Sequence, residues 1–358
     1  MTQISDTNGI RVQLNLDNYC EMIARSEPPM RFAFSTRGDR SVAEWQEAFR
    51  SELALLLGFD EIARRRVASP RCILRERVEE ADHVREDWLI ETEQDFLLPA
   101  YVLRPLKDSE GPARRPVVIT PQGHGVNGRQ VYCGVPQTPE DAAEIRDGER
   151  DIALQAVRAG YIAIAHEGRG YGDSRGPKAL AMELRTACDQ WQHRAQLFGR
   201  TQLGERIWDI QRLIDWAATQ DDADATRVAV TGNSGGGTAS LFAAAMETRI
   251  TVCVPGSSFC TFADSICAMR HCGCNYVPGI LKLGEMPDVA GLIAPRPLLI
   301  VHGKEDRIFP IDATRNAFAQ VQDIYAACEA SGRCELYVGD GGHRYYATPV
   351  WPFMKRWL

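Results

Sequence analysis

Between Ser41 and Leu57 the apolar residues Val42, Trp45, Phe49, Leu53, Leu56 and Leu57 recur at the spacing of a helix with one buried face. A stretch rich in charge and proline precedes them, so the pattern predicts a helix packed on a larger body. The pattern then shortens: residues 72–79, 88–92 and 97–103 read as short strands between polar turns, closing at Arg104-Pro105, and an antiparallel sheet edge is their natural use. After Pro116 it changes again. Residues 117–120, 161–165, 227–231, 251–255, 297–301 and 334–338 are apolar runs of strand length, as expected of strands covered on both faces. Helical stretches near 141–159, 180–198, 204–219, 237–246, 312–330 and in the C-terminal tail alternate with them. Such alternation predicts an α/β protein with a doubly wound, mostly parallel sheet and helices on both faces. The organisation read from this is an N-terminal helical extension, residues 1–70, followed by one α/β domain, residues 71–358, without internal repeats or low-complexity linkers. Within the domain, residues 257–294 exceed a simple crossover, and their Cys, Met, Phe and Pro content predicts an insertion over the strand ends.

Composition narrows the partners. The 358 residues are 44% hydrophobic and 25% charged, which is ordinary for a globular protein. A net charge of −7, with 41 Lys and Arg spread along the chain, gives no reason to expect nucleic acid. No apolar stretch of about 18 residues predicts a membrane span, and residues 1–10 lack a basic, apolar leader, so the expected location is the cytoplasm. Eleven cysteines in a reducing compartment are expected as buried free thiols. The run His271-Cys272-Gly273-Cys274 resembles a metal site. It has no second matching cysteine pair, however, and Cys-Gly-Cys is tight for two ligands of one tetrahedral zinc, so packing or pocket lining is predicted and no metal. A small molecule is the expected partner; oligomeric state is open, a homo-oligomer included.

The chemistry centres on Val228-Ala-Val-Thr-Gly-Asn-Ser-Gly-Gly-Gly237, where a β-branched strand turns into an alanine-rich helix. A serine between glycines at such a turn is the pattern of a nucleophile elbow: Gly232 and Gly236 let strand and helix approach, and Ser234 projects its hydroxyl. The Gly235 N–H, at the first helical turn, faces the place where an oxyanion would form, and the helix dipole adds to it. A serine hydroxyl needs a base, and the base an orienting acid, in the chain order Ser, Asp or Glu, His. Asp306 follows the strand that ends in His302-Gly303, and His343 is the only one of seven histidines after it, on a loop of small residues. Glu305 and Asp340 are the rival carboxylates; Asp306 is preferred because a strand-end loop closing with Pro310 aims it at the neighbouring histidine loop. The second oxyanion donor is expected from the loop Pro121-Gln-Gly-His-Gly125, at the N–H of His124. His302 reads as a buried packing residue.

With these residues in order the chain resembles an α/β-hydrolase. Leu98-Pro-Ala-Tyr-Val-Leu-Arg-Pro105, Gly123-His-Gly125, Gly168-Arg-Gly-Tyr-Gly-Asp-Ser174, Asp209 with Asp215-Trp216, and Ala294-Pro-Arg-Pro-Leu-Leu-Ile300 are similar to the acetyl xylan esterase-like and dienelactone hydrolase-like branch, over roughly residues 41–358. The resemblance implies a serine carboxylesterase for short acyl groups on sugars or other small alcohols, with no cofactor. Gln122-Gly123 departs from the His-Gly common in relatives, and Ser234 from the cysteine nucleophile of dienelactone hydrolases. Phe259, Phe262, Met269 and Tyr276 in the insertion are the candidate substrate-binding wall, with core packing as the alternative. A peptidase or amidase, a carbon–carbon bond hydrolase, and a receptor on a hydrolase scaffold are the alternative functions.

Overall fold

The computed structural model describes residues 4–5, 11–12, 15–26, 30–106, 113–125, 127–184 and 186–358. Most of residues 1–10, for which the sequence predicts no secretion signal, lie outside the described residues. Nine strands form one sheet: β1 (Cys72–Glu79), β2 (His83–Glu93), β3 (Phe96–Pro105), β4 (Arg115–Ile119), β5 (Ile162–His166), β6 (Ala223–Asn233), β7 (Ile250–Gly256), β8 (Leu298–Gly303) and β9 (Cys334–Gly339). Their order is β9-β8-β7-β6-β4-β5-β3-β2-β1. Pairings from β9 to β5 are parallel, and those from β5 through β3 and β2 to β1 are antiparallel. The sheet is therefore mostly parallel with the antiparallel edge that the short strands predict.

The apolar runs of the central strands are buried on both faces because alternate side chains enter different cores. Val117 and Ile119 of β4, with Val228 and Val230 of β6, join one cluster; Val118 and Ala229 join the other. Helix α1 (Val42–Leu57) covers the first face through Trp45, Phe49, Leu53 and Leu57, all fully buried. Each such side chain contributes on the order of 1.5–3 kcal/mol by leaving water. The Ser41 hydroxyl accepts from the Glu44 N–H and the Glu44 carboxylate accepts from the Ser41 N–H, closing the helix start.

Two predicted helices break. The stretch 141–159 divides into Pro139–Gly148 and Ile152–Arg158, with Glu149 between them at φ 50°. The span 180–198 divides into the end of a short helix, Pro177–Ala181, and α2 (Cys188–Leu197), with Glu183 between them at φ 53°; residue 185 lies outside the described residues. The remaining helices keep their predicted places: α3 (Gln202–Ala217), α4 (Gly235–Met246) and α5 (Ile311–Ala327).

Register brings the chemistry to one edge. Asn233 of β6 lies beside Gly256 of β7, Gly256 beside Val301 of β8, and Gly303 beside Gly339 of β9. Ile119 of β4 pairs with Val230 of β6. The loops bearing residues 121–125, 234, 306 and 343 therefore all leave the carboxyl ends of neighbouring strands, and strand order reverses around β4.

Candidate active site

Ser234 has φ 57° and ψ −124°, a backbone conformation that a non-glycine residue holds only when its surroundings impose it. The imposing contacts are visible: its N–H donates to the Gly256 carbonyl at 2.8 Å and its carbonyl accepts from Thr238 N–H at 2.9 Å. A Cβ at Gly232 would stand 2.6 Å from the Pro121 carbonyl oxygen, and one at Gly236 2.2 Å from the same atom. No larger residue fits either position. Helix α4 starts at Gly235, so its first N–H groups have no carbonyl of their own helix to meet and face the end of the strand.

The Nδ1–H of His343 donates to Asp306 Oδ2 at 2.8 Å. The other carboxylate oxygen accepts from the N–H groups of Ile308 and Phe309 at 2.8 and 3.2 Å. Burial pushes the Asp306 carboxyl up, but the His343 hydrogen bond and charge, with the two backbone donors, outweigh it and hold the acid below its ordinary range. Asp306 is buried whereas Glu305 and Asp340 are exposed. Phe309 stacks on the His343 ring, 6.1 Å between centroids and 13° from parallel. His302 is fully buried with Nε2 2.8 Å from the Phe309 carbonyl, as its sequence reading expects.

Ser234, Gly235, His124 and His343 line one cavity of about 370 Å³, with Arg150, Met269, Arg270, His271, Cys272, Asn275, Ile308 and Phe309. Of the four residues predicted as a substrate wall, only Met269 is among them. Phe259 and Phe262 belong to the main hydrophobic core, where the Phe259 carbonyl accepts from the Thr314 hydroxyl at 2.8 Å. Tyr276 and Phe262 border a second cavity of about 580 Å³ that does not include Ser234. Aromatic content alone does not separate a pocket wall from a core, and here the core takes two of the three rings. Burial first, and then the charges of His124 and His343, push His271 down to about 4.

The sequence reading missed Arg206, on the inner face of α3. It is almost fully buried; one guanidinium nitrogen donates to the Gly235 carbonyl at 3.2 Å and another to the Gln122 carbonyl at 2.6 Å. It thereby ties the elbow to the loop after β4. Its buried face carries Gln202 and Asp209 beside Leu203 and Ile210, so the local sequence holds no clear signal for it.

His124 itself lies against Gly235: a Cβ there would stand 2.4 Å from the imidazole Cε1. Its Nε2 is 3.1 Å from Cys274 Sγ. Cys188 and Cys272 complete a group whose nitrogen and three sulfurs all lie within 4.8 Å of one another. The expectation of no metal rested on the absence of a second pair near Cys272-Gly273-Cys274. In the fold, His124 and Cys188 bring further donor atoms to that run from residues far away in the chain.

Residues 95–288, just over half of the chain, match the family model described as X-Pro dipeptidyl-peptidase (S15 family). YtaP of Bacillus subtilis (strain 168), named a hydrolase, is 28% identical over 318 residues, covering 86% of this chain and 98% of that protein. Among solved structures, BF1801 from Bacteroides fragilis NCTC 9343, named an acetyl xylan esterase, superposes with a TM-score of 0.75 at 20% identity, covering 94% of this chain and 84% of that one. The methylesterase BT1017 gives a TM-score of 0.69 at 18% identity, over 99% of this chain and 72% of its own.

Proposed function

We propose, on the premise that the chain belongs to the X-Pro dipeptidyl-peptidase (S15) family and has the α/β-hydrolase fold, that this serine hydrolase is a carboxylesterase acting on esters of small carboxylic acids. In this reading Ser234 Oγ attacks the ester carbonyl while His343 takes its proton, and Asp306 holds the imidazole and stabilises the imidazolium. The N–H groups of Gly235 and His124 receive the oxyanion. His343 then gives the proton to the leaving alcohol, and water activated by the same histidine releases the acid from Ser234. No cofactor enters any step.

The observation that carries the choice of bond is the lining of the cavity at Ser234. A dipeptidyl-peptidase substrate brings a free terminal ammonium group, which needs a carboxylate to receive it. Among the described residues lining this cavity there is none; the ionisable groups are Arg150, Arg270, the three histidines and the Cys272 thiol. A neutral or anionic ester meets that surface without an unpaired cation. The ester-bond names of BF1801 and BT1017 support the same choice.

The family description favours a second reading, release of dipeptides after proline, and one experiment separates the two. Hydrolysis of p-nitrophenyl esters from acetate to decanoate is measured beside glycyl-prolyl p-nitroanilide, for the wild type and Ser234→Ala. Turnover of acetate through butyrate, absent in the variant and absent on the anilide, is the expected result. Turnover of the anilide alone overturns the ester reading. We take the substrate to be a small molecule, with neither nucleic acid nor membrane as a partner, and place the enzyme in the cytoplasm. The eleven free cysteines support that location. No helix among the described residues is long and apolar enough to cross a membrane.

A further inference from the structure

Four donors from distant parts of the chain converge beside the elbow: His124 on the loop after β4, Cys188 at the first residue of α2, and Cys272 and Cys274 at the two ends of a one-glycine turn in the insertion. We propose that His124, Cys188, Cys272 and Cys274 bind one zinc ion in a closed tetrahedral site that clamps the Gln122–Gly125 loop to α2 and to the insertion. The binding claim stands on these donors alone; only its consequence for the oxyanion loop rests on the esterase reading.

Three observations carry it. The donor set is three soft thiols and an imidazole, a set that structural zinc takes. Ordinary zinc bonds of about 2.3 Å to sulfur and 2.0–2.1 Å to nitrogen keep tetrahedral ligand atoms within the 4.8 Å that contains this group. Second, the thiols are free and mostly enclosed, with Cys188 and Cys274 buried. As thiols they offer each other only weak hydrogen bonds, a poor reason for three of them and a histidine to crowd one point.

The third observation is charge. Arg206 is nearly inaccessible, and no carboxylate forms an ion pair with it among the described residues; its partners are the Gly235 and Gln122 carbonyls, the Tyr171 ring and, 3.9 Å away, Cys274 Sγ. A buried guanidinium calls for a counter-charge. Zinc binding supplies one: three thiols lose three protons to solvent, the imidazole binds neutral, and the Zn²⁺ with three thiolates carries a single negative charge. The protons, the metal and Arg206 then balance within the site.

The local backbone is already set for this. Gly273 N–H donates to Asp189 Oδ1 at 2.6 Å, and a Cβ at Gly273 would stand 3.1 Å from both that oxygen and Gln192 Cβ, so the turn between the two cysteines closes directly on α2. Asn275 N–H donates to the Cys272 carbonyl at 3.0 Å, completing the turn. With four protein ligands no coordination position is open, so the ion acts as a clamp and not as a Lewis acid for substrate. Its lever on the reaction is His124, whose ring binds the metal while its N–H is the proposed oxyanion donor.

The test is metal content. Wild-type protein, expressed with added zinc and purified without a metal-affinity tag, is assayed by inductively coupled plasma mass spectrometry; about one zinc per chain is expected. Cys188→Ser and Cys274→Ser should lose most of it, and Cys72→Ser, at an exposed thiol outside the group, should keep it. Cobalt loaded in place of zinc should show the thiolate-to-cobalt charge-transfer band and strong visible bands of a tetrahedral site, both lost in Cys274→Ser. Should the variants fail to fold, wild-type stoichiometry and the cobalt spectrum still decide. Metal-free wild type with three alkylatable thiols, a disulfide within the group, iron in place of zinc, or zinc content indifferent to these substitutions each overturns the proposal. Labelling of Ser234 by an organophosphonate reads the serine chemistry separately, so the two proposals fail independently.

Discussion

The edge carrying Ser234, Asp306 and His343 and the cluster of His124, Cys188, Cys272 and Cys274 meet at the cavity that Ser234, His343, His124 and Cys272 line, where the His124 ring lies against Gly235, yet they are built on opposite plans. The first is assembled by the sheet: each residue follows a strand end, and strand register alone puts the three loops side by side. The second is assembled by what crosses over the sheet: a loop, a helix start and a turn of the insertion, with no shared register and no common spacing. A site made by the sheet is as rigid as the sheet. A site made by its coverings needs something to hold the coverings together, which is the part a metal would play.

Removal of the proposed nucleophile breaks the comparison most severely on the first side. Ser234→Ala should lower kcat by on the order of 10⁴–10⁶-fold with zinc content and melting temperature unchanged, measured on p-nitrophenyl acetate. Activity above a few per cent would remove Ser234 from its role. Asp306→Asn leaves the carboxylate's place filled while taking away the charge that holds the His343 tautomer, and should cost about 10⁴-fold in kcat. Glu305→Gln, at an exposed position one residue away, should change kcat less than about twofold, since its carboxylate meets none of the reacting groups. The reverse pattern would mean that the loop presents the other carboxylate in turnover.

The same contrast explains how much could be read from the chain. The strands of the main sheet announce themselves as apolar runs or alternations; in the central strands burial on both faces leaves a sequence mark that tertiary packing does not blur, whereas the exposed edge strand Cys72–Glu79 is marked only by its length between polar turns. The strand-end places of Ser234, Asp306 and His343 were legible for the same reason: each lies just beyond such a run, and His343 is the one histidine that follows Asp306 in the chain. The breaks at Glu149 and Glu183 were not, since a left-handed residue other than glycine is imposed by neighbours that the local sequence does not contain. Phe259 and Phe262 show the limit from another side, as a core and a pocket wall ask for the same aromatic residues. His124 and Cys188 were invisible as partners of Cys272 and Cys274. Ligand spacing can be read only within a segment, and this group has four donors in three segments.

Gly235→Ala acts at the meeting point. The new methyl would stand 2.4 Å from His124 Cε1, so the ring must swing away from Cys274. The loop whose N–H is the proposed second oxyanion donor would move with it. A loss of about 10²–10³-fold in kcat, the magnitude for one missing oxyanion donor, is expected together with loss of zinc. If kcat falls while the metal stays, the His124 ring and its backbone are uncoupled, and the two regions are neighbours without being linked.

Acid separates the two regions with a smaller effect. Asp306, held below its ordinary range by His343 and two backbone donors against the cost of burial, contributes stability that is present above the usual aspartate value and is lost only as pH falls through its lower folded value. His166 behaves differently. It ends β5 fully buried, and burial pushes it down to about 4, with Arg206 adding to the effect and Asp209 opposing it. The unfolded chain therefore takes up a proton near pH 6.5 that the folded chain refuses until about pH 4. Stability is complete above that window and declines through it, by on the order of 3 kcal/mol at most for this one group. Melting temperature followed from pH 7.5 to 4 should fall from about pH 6.5 downward in the wild type, and with a shallower slope in His166→Gln, which cannot be protonated. The slope and not the absolute melting point is the reading, because the buried amide carries its own cost. An unchanged slope would assign the acid sensitivity elsewhere; a shallower one would place it on the side of the sheet that holds Arg206, away from the Asp306–His343 pair.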